Sequence, residues 1–183
     1  MSMTVIQGAF ELGLIFAIMS VGIYISFRIL NIPDLTIDGS YTLGCAVSAI
    51  FAVNGKPVLG VLCALLAGAL AGCVTGLLQT KLKIQAILAG ILTMTGLYSI
   101  NLHIMGDKPN LSLFGMETIF SRFSFLPPKW VYLIVVAVIL LLVVAVLYLF
   151  LKTQMGMSLR ATGDNEDMVK ASSINSDAMK ILG

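Results

Sequence analysis

Residues Trp130 to Leu151 read WVYLIVVAVILLLVVAVLYLFL, an unbroken run without a charged side chain. About 20 helical residues, at 1.5 Å each, cross the hydrocarbon of a bilayer. In lipid such a run must be helical, because every backbone N–H and C=O needs a partner inside the segment. Four further apolar segments can be drawn, at about 4–30, 33–54, 57–78 and 84–105. Charged residues make up 11% of the chain, against about 25% in soluble domains. These features predict an all-α, polytopic transmembrane helical bundle of about five spans in residues 1–151. An outer loop at 107–129 precedes the fifth span, 130–151, and a polar segment fills 152–183.

Several function classes fall away at once. The net charge of +2 implies no nucleic-acid partner. The first 30 residues lack a basic n-region and exceed an h-region, so they are not a cleavable signal peptide. His103 is the only histidine, and no metal site is expected. Cys45, Cys63 and Cys73 form no C-x-x-C pair and are expected to be buried free thiols. No G-x-x-x-x-G-K-[ST], H-E-x-x-H or G-x-S-x-G occurs, so the chain offers neither a nucleotide site nor a catalytic set, and no cofactor is expected.

Lys and Arg placement sets the expected orientation. No basic residue precedes Glu11, whereas Lys81 and Lys83 link the third and fourth segments, and Lys152, Arg160, Lys170 and Lys180 follow the fifth. The positive-inside rule puts the N-terminus outside and residues 152–183 in the cytoplasm. The outer loop mixes both charges and places Leu111, Phe114, Ile119, Phe120 and Phe123 among polar residues, which suits a short interfacial helix facing an extracytoplasmic partner. Glu11 either reaches the outer headgroup region or is a buried ionisable group with a function.

The second segment is irregular. Counted from Pro33 it spans, but then Asp34, Thr36, Asp38 and Gly39 enter the membrane zone. Asn31–Ser40 is either a cytoplasmic turn or a break inside the protein, of the kind that aims free backbone groups at a transport path. In the fourth segment Thr95, Ser99 and His103 share a face, and Asn101 adds an amide. Polar groups in a span prefer the bundle interior or a wet cavity, although Thr93 and Thr95 can also bond their own helix. Asn31, Pro33, Asp34, Thr36, Asp38, Ser99 and Asn101 are the translocation-path candidates. In the third segment Gly60, Ala64, Gly68, Gly72 and Gly76 form a strip of small residues, suited to close packing within the chain or to a homodimer seam.

The polar tail reads as two short helices and the start of a third. Gly163 is expected at the C′ position after a helix over roughly 154–162. Asp164 or Asn165 caps the next, with Glu166 and Asp167 in its first turn and Lys170 toward its end. Ser173 and Asn175 offer a further break and cap. Met168, Val169, Ala171 and Ile174 are apolar knobs suited to a groove in a soluble protein. The acids near Arg160 disfavour the alternative of a helix resting on the anionic inner leaflet.

GMSLRATGDNEDMVKASSIN resembles the cytoplasmic coupling segment of ABC importer permeases of the branched-chain amino acid and ribose type. Gly156, Arg160, Ala161, Gly163, Asn165, Ala171, Ile174 and Asn175 carry the resemblance. FRILNIPDLTIDGSYTLGCAVSAIFA resembles the family's N-terminal stretch, but Pro33, Asp34 and Asp38 replace its His-containing element, as in a subgroup associated with uptake of tryptophan, tyrosine or similar small ligands. The resemblance implies a permease in the bacterial plasma membrane, driven by a separate cytoplasmic ABC ATPase. It also implies an extracytoplasmic substrate-binding protein, a second permease copy, lipid around the bundle, and further spans after residue 183. Gly163 to Ile174, with Arg160, would then form the ATPase-coupling element. The alternative is an ion-coupled secondary transporter using Glu11, Asp34 or Asp38, which would have no reason to keep a coupling-like tail.

Overall fold

The computed structural model describes residues 3–113, 115, 116 and 128–183. Helix α1 (Met3–Tyr24) closes in a π-helical turn, Ile25–Ile29. Then come α2 (Thr36–Val53), α3 (Pro57–Thr80), α4 (Ala86–Ile104) and α5 (Pro128–Leu151). Three short helices finish the chain: α6 (Gln154–Asp164), α7 (Glu166–Ala171) and α8 (Ser176–Leu182). No strand occurs among the described residues. Five helices, counting α1 with its π turn, are long and apolar enough to cross a membrane. The all-α polytopic bundle is therefore as expected, and this is a multi-pass membrane protein. The interfacial helix expected around Phe114, Ile119, Phe120 and Phe123 lies outside the described residues.

Local chemistry explains where the long helices stop. Gly55 and Gly106 sit just past α2 and α4 with φ of 71° and 70°. The Lys56 N–H donates to the Phe51 carbonyl and the Asp107 N–H to the Leu102 carbonyl, each at 2.9 Å. These are the bonds that let a left-handed residue close a helix. Pro57 starts α3, where its missing N–H costs nothing. At the opposite ends, Asn31 after α1 and Lys83 after α3 take left-handed backbone with φ of 55° and 53°.

Helices α2, α3 and α4 pack as one group around Leu43, Ala71 and Leu97. Helix α1 lies mainly against α5. A second core of Ile29, Leu30, Leu151 and Leu159 ties the ends of α1 and α5 to α6. Much of the apolar surface, including Leu65, Leu66, Leu70, Leu141 and Leu149, remains exposed, as suits helices meeting lipid or further protein.

The small-residue strip divides. A β-carbon at Gly60 would come within 2.9 Å of Phe51 Cβ, and one at Gly76 within 3.0 Å of the Ile181 Cα, so both ends pack within the chain. Gly68 and Gly72, between them, have nothing within 4 Å. Gly60→Ala is therefore expected to lower the thermal midpoint. Gly96→Ala, in open space on α4, is expected to hold or raise it, since alanine favours a helix by about 1 kcal/mol over glycine. Thermal unfolding in detergent measures both.

The cysteines correct one expectation. All three are free thiols, but Cys45 and Cys73 are exposed and Cys63 half-buried.

Candidate functional site

The segment between α1 and α2 is placed by its neighbours. Gly90 of α4 faces it so closely that a β-carbon there would lie 2.9 Å from the Leu35 nitrogen and 3.3 Å from Asp34 Oδ1. Gly90 is four residues into α4, about 6 Å along the axis. Thr75, which meets Thr36, is five residues before the end of α3, about 7 Å inside it. Residues 34–36 thus sit between α3 and α4, inside their ends, so the structure has a break in the helical path here and not a turn beyond the bundle. Its cause is local. Pro33 has no N–H, so the Ile29 carbonyl four residues earlier cannot receive the usual helical bond. The chain widens into the π turn, the Ile32 N–H donates to the Ser26 carbonyl at 3.0 Å, and Ser26 Oγ donates to the Ile32 carbonyl at 3.0 Å.

The break starts a chain of hydroxyls. Asp34 Oδ1 accepts the Thr36 N–H at 2.8 Å and the Thr36 Oγ1–H at 2.6 Å. Thr36 Oγ1 lies 3.0 Å from Thr75 Oγ1, and Thr75 donates to Thr93 Oγ1 at 3.0 Å. Thr93 donates in turn to the Ala89 carbonyl at 3.0 Å. Thr36, Thr75 and Thr93 are all buried. Three helices are therefore joined by polar contacts that end on one carboxylate. Thr75 Oγ1 also lies 3.2 Å from the Ala71 carbonyl of its own helix, so its one proton has several acceptors within reach.

Asp34 also lines a cavity of about 440 Å³ bounded by the connector, α3 and α8. Of the path candidates, only Asp34 and Thr36 join this arrangement directly. Asn31 and Pro33 shape the break from exposed positions, while Asp38 is exposed in the first turn of α2. The polar residues of α4 divide between two faces. Thr95, Ser99 and His103 are exposed, and Thr95 bonds its own helix at the Leu92 carbonyl, 2.9 Å away. The inward face is Ala89, Thr93, Leu97 and Asn101, where the Asn101 amide donates to Thr42 Oγ1 at 3.0 Å. Glu11 accepts a bond from Gln7 at 3.1 Å.

The tail folds against this end of the bundle. Thr153 caps α6 by accepting the Gly156 N–H at 3.3 Å. Gly156 fits because a β-carbon would meet the backbone of Leu151 at 2.5 Å. Leu159 is fully buried in the core with Ile29 and Leu30. Gly163 is not at a positive-φ C′ position as the sequence suggests. It is helical, inside α6, which runs two residues further than expected. Its small size serves a close approach, since a β-carbon there would overlap the Ile29 carbonyl oxygen. The carbonyl left without an amide by Pro33 is thus the one that Gly163 covers, and a Cα–H donor can serve it weakly.

Asn165, not Asp164, caps α7, accepting the Met168 N–H at 3.1 Å. Asn175 caps α8 in the same way through the Ala178 N–H at 3.1 Å. Between them Ser173 takes left-handed backbone. Glu166 is an internal clamp. It pairs with Lys170 at 2.9 Å and Lys180 at 2.7 Å, and accepts from Ser176 at 3.3 Å. Hydrogen bonds from Lys180 and Lys170 hold its carboxyl at about 2, well below the ordinary 4.5. Arg160 is exposed and in no ion pair among the described residues. Val169 is turned inward, Ile174 is half-buried, and Asp164, Asp167, Met168 and Ala171 face out. Because the carboxyl is depressed in the folded protein, the clamp's contribution is full above about pH 4.5 and is lost as pH falls toward 2. Hydrogen exchange of α8 amides is expected to accelerate over that window, beyond the intrinsic pH dependence, and not in Glu166→Gln.

Residues 5–183 match the family described as the permease component of branched-chain amino acid transport systems. The chain is 43% identical over 171 residues to the tyrosine transport system permease protein of Clostridioides difficile, covering 93% of this chain and 56% of that protein. It is 29% identical over 174 residues to the ribose import permease protein RbsC of Escherichia coli, covering 91% and 52%. It is 32% identical over 153 residues to the autoinducer 2 import system permease protein LsrC of Yersinia pestis, covering 79% and 40%. The chain thus spans about half the length of these relatives. No solved structure matches it.

Proposed function

Because this chain belongs to the branched-chain amino acid transport system permease family, we propose that it is part of the membrane conduit of an ABC importer for a small polar solute. The family is one of transport permeases and not of enzymes. The solute class is an amino acid or a similar molecule, which the tyrosine transport relative and the exchanged element at Pro33–Asp38 both support. A separate ATPase on the cytoplasmic face supplies the energy, an extracytoplasmic binding protein delivers the solute, and a second permease copy completes the path. The chain lies in the bacterial plasma membrane with its N-terminus outside and residues 152–183 in the cytoplasm, as the basic residues favour.

One observation carries this reading. Helices α6–α8 form a braced polar unit with Met168, Asp167 and Ala171 outward. The unit is seated on the membrane helices at two glycines, Gly163 on Ile29 and Gly76 on Ile181. An element that is docked by a partner on one side and keyed into spans on the other can pass a displacement through. Inward movement of α6 presses on Ile29 and so on the break that holds Asp34. Affinity purification of the permease from membranes of its source cell tests the assignment. An ABC ATPase is expected to co-purify, and its consistent absence under conditions that keep the two permease copies together would oppose it.

A further inference from the structure

We propose that Asp34 is the ammonium-binding group of a solute site in the cavity between the connector, α3 and α8. This rests on the permease reading and names the chemistry of its path. The Asp34 carboxylate is oriented before any ligand arrives. Oδ1 is fixed by the Thr36 N–H and hydroxyl. Oδ2 has no hydrogen-bond partner among the described residues, and Asp34 is in no ion pair. The cation that also lines the cavity, Lys180, is engaged by Glu166 at 2.7 Å. Asp34 and Lys180 thus both line the cavity, and the Lys180 cation is already engaged by Glu166.

The size and walls fit an organic cation. The volume of about 440 Å³ lies within the range of small-molecule sites, about 300–1,000 Å³. Leu30 and Ile32 give apolar wall, and Gly68 and Gly72 leave room beside α3. A primary ammonium brings three donors on one compact charge, and a single carboxylate oxygen serves one of them well. A bare inorganic cation asks for more: hard divalent ions take six or more oxygens, and no group of three metal-ligating side chains exists among the described residues.

Cys73 lines the same cavity and is exposed, which supplies a reporter. In the lipid-reconstituted transporter with Cys73 as the only thiol, the rate of its alkylation by a maleimide is followed. Ethylammonium, propionate and sodium are the added probes. Ethylammonium is expected to slow alkylation, and propionate and sodium at the same ionic strength to leave it unchanged. In Asp34→Asn the protecting concentration is expected to rise about tenfold or more, as loss of a charged hydrogen bond implies. Asp34→Glu, which keeps the carboxylate, is expected to retain protection and serves if Asp34→Asn does not assemble. Equal protection by propionate, protection by sodium, or undiminished protection in Asp34→Asn would overturn the site. The assay needs no ATPase, so a lost ammonium site and a lost ATPase partner are separate outcomes.

Discussion

Gly163→Ala is expected to unseat α6 from the membrane helices and to abolish coupled transport. The added β-carbon would overlap the Ile29 carbonyl oxygen and press on the backbone of Leu30. Overpacking by a methyl group costs about 1–3 kcal/mol, and the upper end applies here because a backbone carbonyl cannot rotate away as a side chain can. The core of Ile29, Leu30, Leu151 and Leu159 would open with it. Gly163→Asn separates this cause from a conformational one. Asparagine tolerates the left-handed C′ position, so it would be mild if backbone freedom were the reason for glycine. It is expected to be at least as damaging as alanine, because the obstacle is steric. Thermal unfolding of the purified protein and solute uptake in proteoliposomes check both variants.

Gly90→Ala is expected to have the next largest effect, at the other side of the break. Its β-carbon would enter contact with the Leu35 nitrogen at 2.9 Å and Asp34 Oδ1 at 3.3 Å. The connector must then move away from α4, which stretches the bonds between Asp34, Thr36 and Thr75. Expected outcomes are a destabilisation of about 1–3 kcal/mol and a loss of uptake larger than the stability change alone explains. Gly96→Ala on the same helix has free space and provides the matched control. If the two variants transported equally, the connector would not depend on the close approach of α4.

Much of this was legible in the sequence, for physical reasons. The uncharged run 130–151 allows one conformation in lipid, and α5 follows it. Asn165 and Asn175 cap helices because an amide oxygen three residues before a free N–H can do little else so well. The break at 31–40 was visible as an ambiguity. Pro33 announces that a carbonyl will lose its donor, but whether the gap lies inside the bundle depends on Gly90 and Thr75, more than 35 residues away. The two polar faces of α4 pose a similar problem. Thr95, Ser99 and His103 repeat every four residues, and so do Thr93, Leu97 and Asn101. In a span the apolar residues need not face inward, so periodicity alone cannot choose between two polar faces. Gly163 before Asp164 and Asn165 looks like a helix end, yet its neighbour in space is Ile29. A local signal was present for the buried face of α6: Gly156, Leu159 and Thr162 recur every three residues, with Gly163 beside them. The Glu166 clamp needed Lys180, which sequence spacing does not bring near.

The proposed coupling role of α6–α8 is tested most directly by solute-stimulated ATP hydrolysis in the permease reconstituted with its ATPase and binding protein. Met168 is 69% exposed on α7 and has no structural duty within the chain. Met168→Asp should therefore leave the fold intact. Burying such a side chain in a partner is worth about 1.5–3 kcal/mol, a tenfold or greater change in complex stability. The expected result is an unchanged melting temperature of the isolated permease, with ATPase yield and stimulated hydrolysis reduced tenfold or more. Unchanged yield and unchanged stimulation in Met168→Asp would contradict docking of an ATPase at the outward face of α7.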